Sequence, residues 1–214
     1  MKEQLSQLPQ SLALPLFDVS ELGELSQIGL VEIITDMYLE TPRLMLREMT
    51  EHDVPALREI LQDDETMAAY EGAFDEAMTL DWLQSNRQRY HAEGFGLLGV
   101  VLRPTNELIG QCGLTRQHIL DRDVVEVGYL LNRAHWHRGY ATEAARACLN
   151  YAFEQLEEEN VWAQVRDTNI ASMNVAIRLG MTVRGRFEKH YRGVAMPHLA
   201  FAVDRPGATP LVRE

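Results

Sequence analysis

Glu126-Val127-Gly128-Tyr129-Leu130-Leu131-Asn132-Arg133-Ala134-His135-Trp136-His137-Arg138-Gly139-Tyr140-Ala141-Thr142-Glu143-Ala144 is the stretch whose reading decides the fold. The β-branched and apolar run at 124–131 predicts a strand, and the alanine-rich run from Gly139 predicts a helix to about residue 156. A strand that passes through a glycine-containing turn straight into a long helix presents unpaired backbone N–H groups and the positive end of the helix dipole. Those groups suit a pyrophosphate. Gly139 lets the backbone approach such a ligand closely, and Arg138 adds a formal positive charge. The residues of a dinucleotide fold or a Walker loop are missing, because there is neither GxGxxG nor GxxxxGK[ST]. By its own chemistry the junction also reads as an ordinary strand-to-helix turn.

Working outward, residues 161–166 predict a strand and 172–179 a helix closed by Gly180. Strands at 124–131 and 161–166, joined by the long helix, form a parallel βαβ unit. Upstream, β-rich runs at 96–103 and 107–116 flank Pro104-Thr105-Asn106 and predict a hairpin. Leu44 and Leu46 mark a first strand, and Thr50-Glu51-His52-Asp53 reads as a capping-box-like start for a helix to about residue 61. A second helix spans 75–91, with Met78, Trp82, Leu83 and Tyr90 at helical spacing, and stops at Gly94. Further β-like runs at 181–187 and 198–203 complete an α/β chain with a mixed sheet.

The 214 residues, 46% hydrophobic and 24% charged, support a sizeable core without disulfides or a structural metal, and exclude collagen-like and wholly disordered readings. With 20 Lys plus Arg against 32 Asp plus Glu, the net charge of −12 has the wrong sign for a nucleic-acid partner and allows a cationic one. Cys112 and Cys148 lack CxxC spacing and read as reduced core residues. No apolar stretch reaches the ~20 residues that span a bilayer, so the expectation is a cytoplasmic chain with no membrane partner. His135 and His137 have no third ligand at metal-binding spacing, and no metal is expected. Residues 1–36 carry Lys2 against Glu3, Asp18, Glu21, Glu24, Glu32 and Asp36, and read as an N-terminal extension with one short helix at 20–28. The main domain is expected at 37–205 and a tail at 206–214.

Trp136 to Ala144 resembles the acetyl-CoA pyrophosphate loop of the GNAT N-acetyltransferase superfamily, whose pattern is Q/R-x-x-G-x-G/A. It is most similar to the branch typified by the ribosomal-protein N-terminal acetyltransferases RimJ and RimL. Thr41-Pro42-Arg43-Leu44-Met45-Leu46-Arg47, Leu108-Ile109-Gly110, Glu126-Val127-Gly128-Tyr129 and Asn169-Ile170-Ala171-Ser172, leading to Leu179-Gly180, resemble that branch in the same order, over about residues 38–205. The resemblance implies the GNAT fold: a mixed, mostly antiparallel sheet with one splayed parallel strand pair and helices on both faces. It also implies acetyl-CoA as co-substrate, held by Leu130 and Leu131 backbone N–H groups, by His137, Arg138, Gly139, Tyr140, Ala141 and Thr142 of the loop, and by Asn169 and Ser172. Trp136 departs from the superfamily's Gln or Arg. Ala176 stands where many relatives place a tyrosine that protonates the leaving thiolate, so Ser172 is the expected donor.

Amide formation needs a base for the amine, a stabilised oxyanion and an acid for the thiolate. Glu126 is the expected base, with Glu188, His190 and Tyr191 as runners-up on the segment that lines the acceptor pocket in this branch. Glu126 also reads as a solvated or Arg-paired strand residue, and Asn169 equally as a helix cap. The acceptor is an amine-bearing small molecule or a protein N-terminus, attacked directly in a ternary complex, and look-alikes are commonly homodimers. A non-catalytic acyl-CoA-binding module is the alternative, motivated by Ala176.

Overall fold

The computed structural model describes residues 38–70, 72–191 and 193–207. The chain separates into units Met1–Thr35 and Asp36–Glu214; the first, with the extension and helix expected at 1–36, lies outside the described residues, as does most of the expected tail.

The elements run β1 (Tyr38–Glu40), β2 (Leu44–Arg47), α1 (Val54–Leu61), α2 (Glu76–Glu93), β3 (Leu97–Leu102), β4 (Glu107–Ile119), β5 (Arg122–Leu131), α3 (Tyr140–Glu154), β6 (Asn160–Arg166), α4 (Ile170–Arg178), β7 (Thr182–Tyr191) and β8 (Val194–Asp204). Eight strands form one sheet in the order β1-β2-β3-β4-β5-β6-β8-β7. Every neighbouring pair is antiparallel except β5 and β6, whose parallel contact has a single register pair, Glu126 with Trp162. The expected mixed sheet with one parallel pair is what the molecule contains.

Local chemistry explains the helix ends. At the start of α1, Asp53 accepts from the Thr50 N–H at 2.7 Å and takes a two-point ion pair from Arg47. Asp75 caps α2 by accepting from Met78 N–H, and Gly94 closes it in the left-handed conformation at φ 75°. The hairpin between β4 and β5 is longer than its sequence predicts. Leu120 and Asp121 turn it with φ values of 50° and 59°, a primed two-residue turn without the glycine or asparagine that announces one.

Strand alternation distributes the helices over both faces. Leu98, Val100, Cys112, Leu114, Val125 and Val127 join Ala144, Ala145, Cys148, Leu149 and Ala176 in the main core under α3 and α4. On the other face Leu97 meets Leu57, Leu61 and Leu83 of α1 and α2, with Trp82 and Leu130 against them. Leu44, Leu46, Leu98, Val100 and Ile109 of the main core are fully buried, which fixes the register of β2, β3 and β4. Among the described residues no helix is long and apolar enough to cross a membrane, and no group of three or more His, Cys, Asp or Glu could hold a metal ion.

Candidate active site

The site begins where β5 and β6 part. Asn132 N–H donates to Ile109 O, so in the antiparallel ladder Leu130 and Gly128 bond to β4, while Tyr129 and Leu131 direct their N–H and C=O groups toward β6. Beyond Glu126 and Trp162 no parallel register pairs follow. The Glu126 side chain accounts for this separation. Its Oε1 accepts the Gln164 backbone N–H at 3.0 Å and its Oε2 accepts from Gln164 Nε2 at 3.0 Å. A carboxylate thus takes the N–H that a continued ladder would have given to β5, and satisfies it without closing the strands. Leu131 and Tyr129, rather than Leu130, are the positions whose backbone faces this gap.

Glu126 is only partly accessible, and burial raises its pKa, opposed by the Gln164 N–H, by the charge of Lys189 and by the Gln164 amide. A raised carboxylate pKa makes a better proton acceptor near neutrality. Alternation in β7 puts Lys189 on the Glu126 side and turns Glu188 and His190 the other way, where they pair with each other at 3.4 Å, both exposed. The structure therefore does not bring these two runners-up to Glu126. Tyr191 ends β7, with its side chain outside the described residues. His198 of β8, buried and fixed by an Nδ1–H bond to Met196 O at 2.8 Å, is the imidazole near Lys189; burial lowers its pKa.

Trp136 Nε1 donates to Leu131 O at 2.8 Å and pins the loop to the end of β5, a role filled by the side chain that departs from the superfamily pattern. His137 and Gly139 both have positive φ, 60° and 79°, and turn the chain into α3. No side chain caps the first turn of α3, so the N–H groups of Tyr140, Ala141 and Thr142 are available to a ligand. They open on a cleft of about 540 Å³ lined by His137, Gly139, Thr142, Glu143, Arg146 and Arg178. The donor set fits a pyrophosphate: uncapped amides, a helix dipole, and Arg146 and Arg178 as cations lining the cleft, with Arg138 next to Gly139 in the chain. His135 turns away from this cleft and pairs with Glu107 at 3.1 Å, so the two histidines diverge.

A clamp that sequence reasoning did not assign holds this loop. Glu143 accepts from Thr41 Oγ1 at 2.6 Å, from Arg43 N at 3.0 Å and from Arg43 Nε at 2.6 Å. Arg43 also donates to Arg138 O at 3.0 Å and lies 4.5 Å over the Tyr140 ring. The Thr41-Pro42-Arg43 motif, 100 residues away in sequence, thereby braces the loop, and its presence among the motifs was the available signal.

On the α4 side, Asn169 caps the helix by accepting from Ser172 N–H at 3.0 Å. Ser172 Oγ donates to Tyr129 Oη at 3.0 Å, and Tyr129 Oη donates to Ser172 O at 2.9 Å. Burial pushes the Tyr129 phenol up to about 12, with Ser172 pulling it down and Cys112, Glu126 and Tyr70 adding to the rise. Tyr129 belongs to the Glu126-Val127-Gly128-Tyr129 motif, and period-two alternation from Glu126 places it on the opposite face of β5.

Comparison with known proteins identifies the family and the fold. Residues 43–182 match the family described as the acetyltransferase (GNAT) domain. The Bacillus subtilis protein YkkB is 35% identical over 159 residues, which cover 74% of this chain and 92% of YkkB, and the N-acetyltransferase YnaD of the same organism is 31% identical over 154 residues, 72% and 87% of the two chains. A GNAT-family acetyltransferase from Bacillus anthracis superimposes with a TM-score of 0.68 at 25% identity, covering 78% of this chain and 98% of that one. RimL, the ribosomal L7/L12 α-N-protein acetyltransferase, solved in complex with coenzyme A, shares the fold at a TM-score of 0.66 and 18% identity, with 78% and 98% covered. By its matched span and its relatives, the chain belongs to the GNAT acetyltransferase family and is an N-acetyltransferase.

Proposed function

We propose that this is a cytoplasmic enzyme that transfers acetyl from acetyl-CoA to a primary amine, either a small molecule or a protein N-terminus, by direct attack in a ternary complex. The observation that carries the proposal is the juxtaposition of the uncapped, glycine-led start of α3 with the gap that Glu126 holds open between β5 and β6. The first is a pyrophosphate site; the second offers the Tyr129 and Leu131 backbone N–H groups to pantetheine amides and to the thioester oxygen. Each Glu126 oxygen keeps a lone pair beyond the one Gln164 uses, so the carboxylate can take a proton from an amine directly or through water.

The likeness to RimL supports a protein N-terminus among the acceptors, and the net charge of −12 accords with any cationic amine. Cys112 of β4 and Cys148 of α3 are both fully buried, and burial pushes the Cys112 thiol well up, which favours direct attack over an acyl-cysteine intermediate.

The test is calorimetric titration of the full chain with acetyl-CoA, followed by a thiol-release assay on a panel of amines, N-terminal peptides and aminoglycosides. Binding with release on one class is the expected result. Absence of binding refutes the pyrophosphate site, and binding without release on every class favours a non-catalytic acyl-CoA module.

A further inference from the structure

Serine has one proton to donate, and in this structure Ser172 spends it on Tyr129 Oη at 3.0 Å. Its hydroxyl therefore points at a phenol, not into the gap. Tyr129 is differently placed. Its own proton goes to Ser172 O at 2.9 Å, a carbonyl in the first turn of α4 that the helix already supplies with the N–H four residues on. That bond can be given up without leaving a buried carbonyl unpaired. Tyr129 also lies on the strand that borders the gap, two residues before Leu131 and opposite Cys112 of β4.

We infer that Tyr129 is the proton donor to the leaving thiolate, and that Ser172 is a positioning residue that acts through it. The inference rests on the acetyltransferase reading above. When the C–S bond of the thioester breaks, its electron pair goes to sulfur, and sulfur takes the Tyr129 phenolic proton to become a thiol. The phenolate left behind keeps the Ser172 O–H bond already present and is reprotonated from solvent. An ammonium acceptor releases two protons overall, through Glu126, so one reaches solvent and the other balances the proton given to sulfur. The high phenol pKa is consistent with a residue that stays protonated until the thiolate forms. Ala176 is fully buried in the core under α3 and α4 and carries no group that could give sulfur a proton.

The experiment uses the full chain, with Tyr129→Phe, Ser172→Ala and the double variant, and coenzyme A itself as the probe. Ionisation of the bound thiol, followed by thiolate absorbance against pH, reads donation to sulfur without any acceptor. Expected is a bound thiol pKa about one unit higher in Tyr129→Phe than in the unaltered protein, a smaller rise in Ser172→Ala, and acetyl-CoA affinity within about threefold for both. On the acceptor found in the panel, Tyr129→Phe lowers kcat about 10²-fold with KM for acetyl-CoA little changed, and the double variant is no slower than Tyr129→Phe. Equal thiol ionisation in Tyr129→Phe and the unaltered protein overturns the inference, as does a larger effect of Ser172→Ala or multiplicative losses in the double variant. If the unaltered protein binds neither coenzyme A nor acetyl-CoA, the transferase reading fails with it.

Discussion

Replacing Glu126 by alanine and by glutamine separates its two roles, because the structure makes the same carboxylate a wedge between strands and a proton acceptor. In Glu126→Ala the Gln164 backbone N–H and Nε2 lose their acceptors in a partly desolvated gap. Orphaning a buried donor costs about 1–3 kcal/mol, and in a domain of this size each kcal/mol lowers the melting temperature by about 2–4 °C, so the expected fall is about 2–12 °C. Glu126→Gln keeps an acceptor for the N–H, and a flip of the Gln164 amide restores the second bond, so its melting temperature stays at or above that of the unaltered protein. The sign of the pH effect follows from burial, which raises the folded-state pKa of Glu126. Stability contributed by the protonated form is fully present below the unfolded value of about 4.3 and is lost as pH rises through the higher folded value. Near neutrality the charged group is therefore a cost, which Glu126→Gln removes. Activity moves oppositely: Glu126→Gln loses 10²-fold or more of kcat/KM near pH 7, on the scale of general-base catalysis, and recovers part of it as pH rises and the amine deprotonates unaided. Scanning calorimetry between pH 4 and 8, beside thiol release over the same range, checks both. An alanine variant that melts with the unaltered protein refutes the wedge; an unchanged pH–rate profile in the glutamine variant refutes the base.

Three further outcomes are expected. Gly139→Val forces a β-branched residue to φ 79°, although its Cβ meets only Arg43 Nη2 at 3.5 Å, so acetyl-CoA affinity falls at least tenfold by titration calorimetry while the chain still folds. Glu143→Gln loosens Arg43 and Thr41 from the loop; because Arg43 is about half exposed, stability changes by less than about 1 kcal/mol, whereas acetyl-CoA affinity drops several-fold. Cys112 and Cys148, whose sulfurs lie 3.8 Å apart in the core, resist a thiol-specific aromatic disulfide until the protein is unfolded, and their joint replacement by alanine leaves kcat within a fewfold; a loss of several hundred-fold would argue for an acyl-cysteine.

What the sequence determined by itself was whatever short-range periodicity and covalent spacing encode. The strand at Leu44–Arg47, the Asp75 cap and Gly94 stop of α2, and the passage from β5 through Gly139 into α3 are local patterns, legible because alternation, caps and left-handed glycines act within a few residues. The β4–β5 turn at Leu120 and Asp121 was not legible, because tertiary pairing holds two ordinary residues at positive φ there. The site depended on the same division. Residues of the pyrophosphate loop are contiguous and could be read in order, while the Glu143 clamp joins positions about 100 residues apart and the Tyr129–Ser172 pair spans 43. The tertiary structure alone decided which face of β7 carries Lys189 and which carries Glu188 and His190, since a one-residue choice of register sends every side chain to the other side. It alone also decided that the Glu126 carboxylate would stand in a missing ladder rung, because the N–H it satisfies belongs to a strand that only the α3 crossover brings beside it.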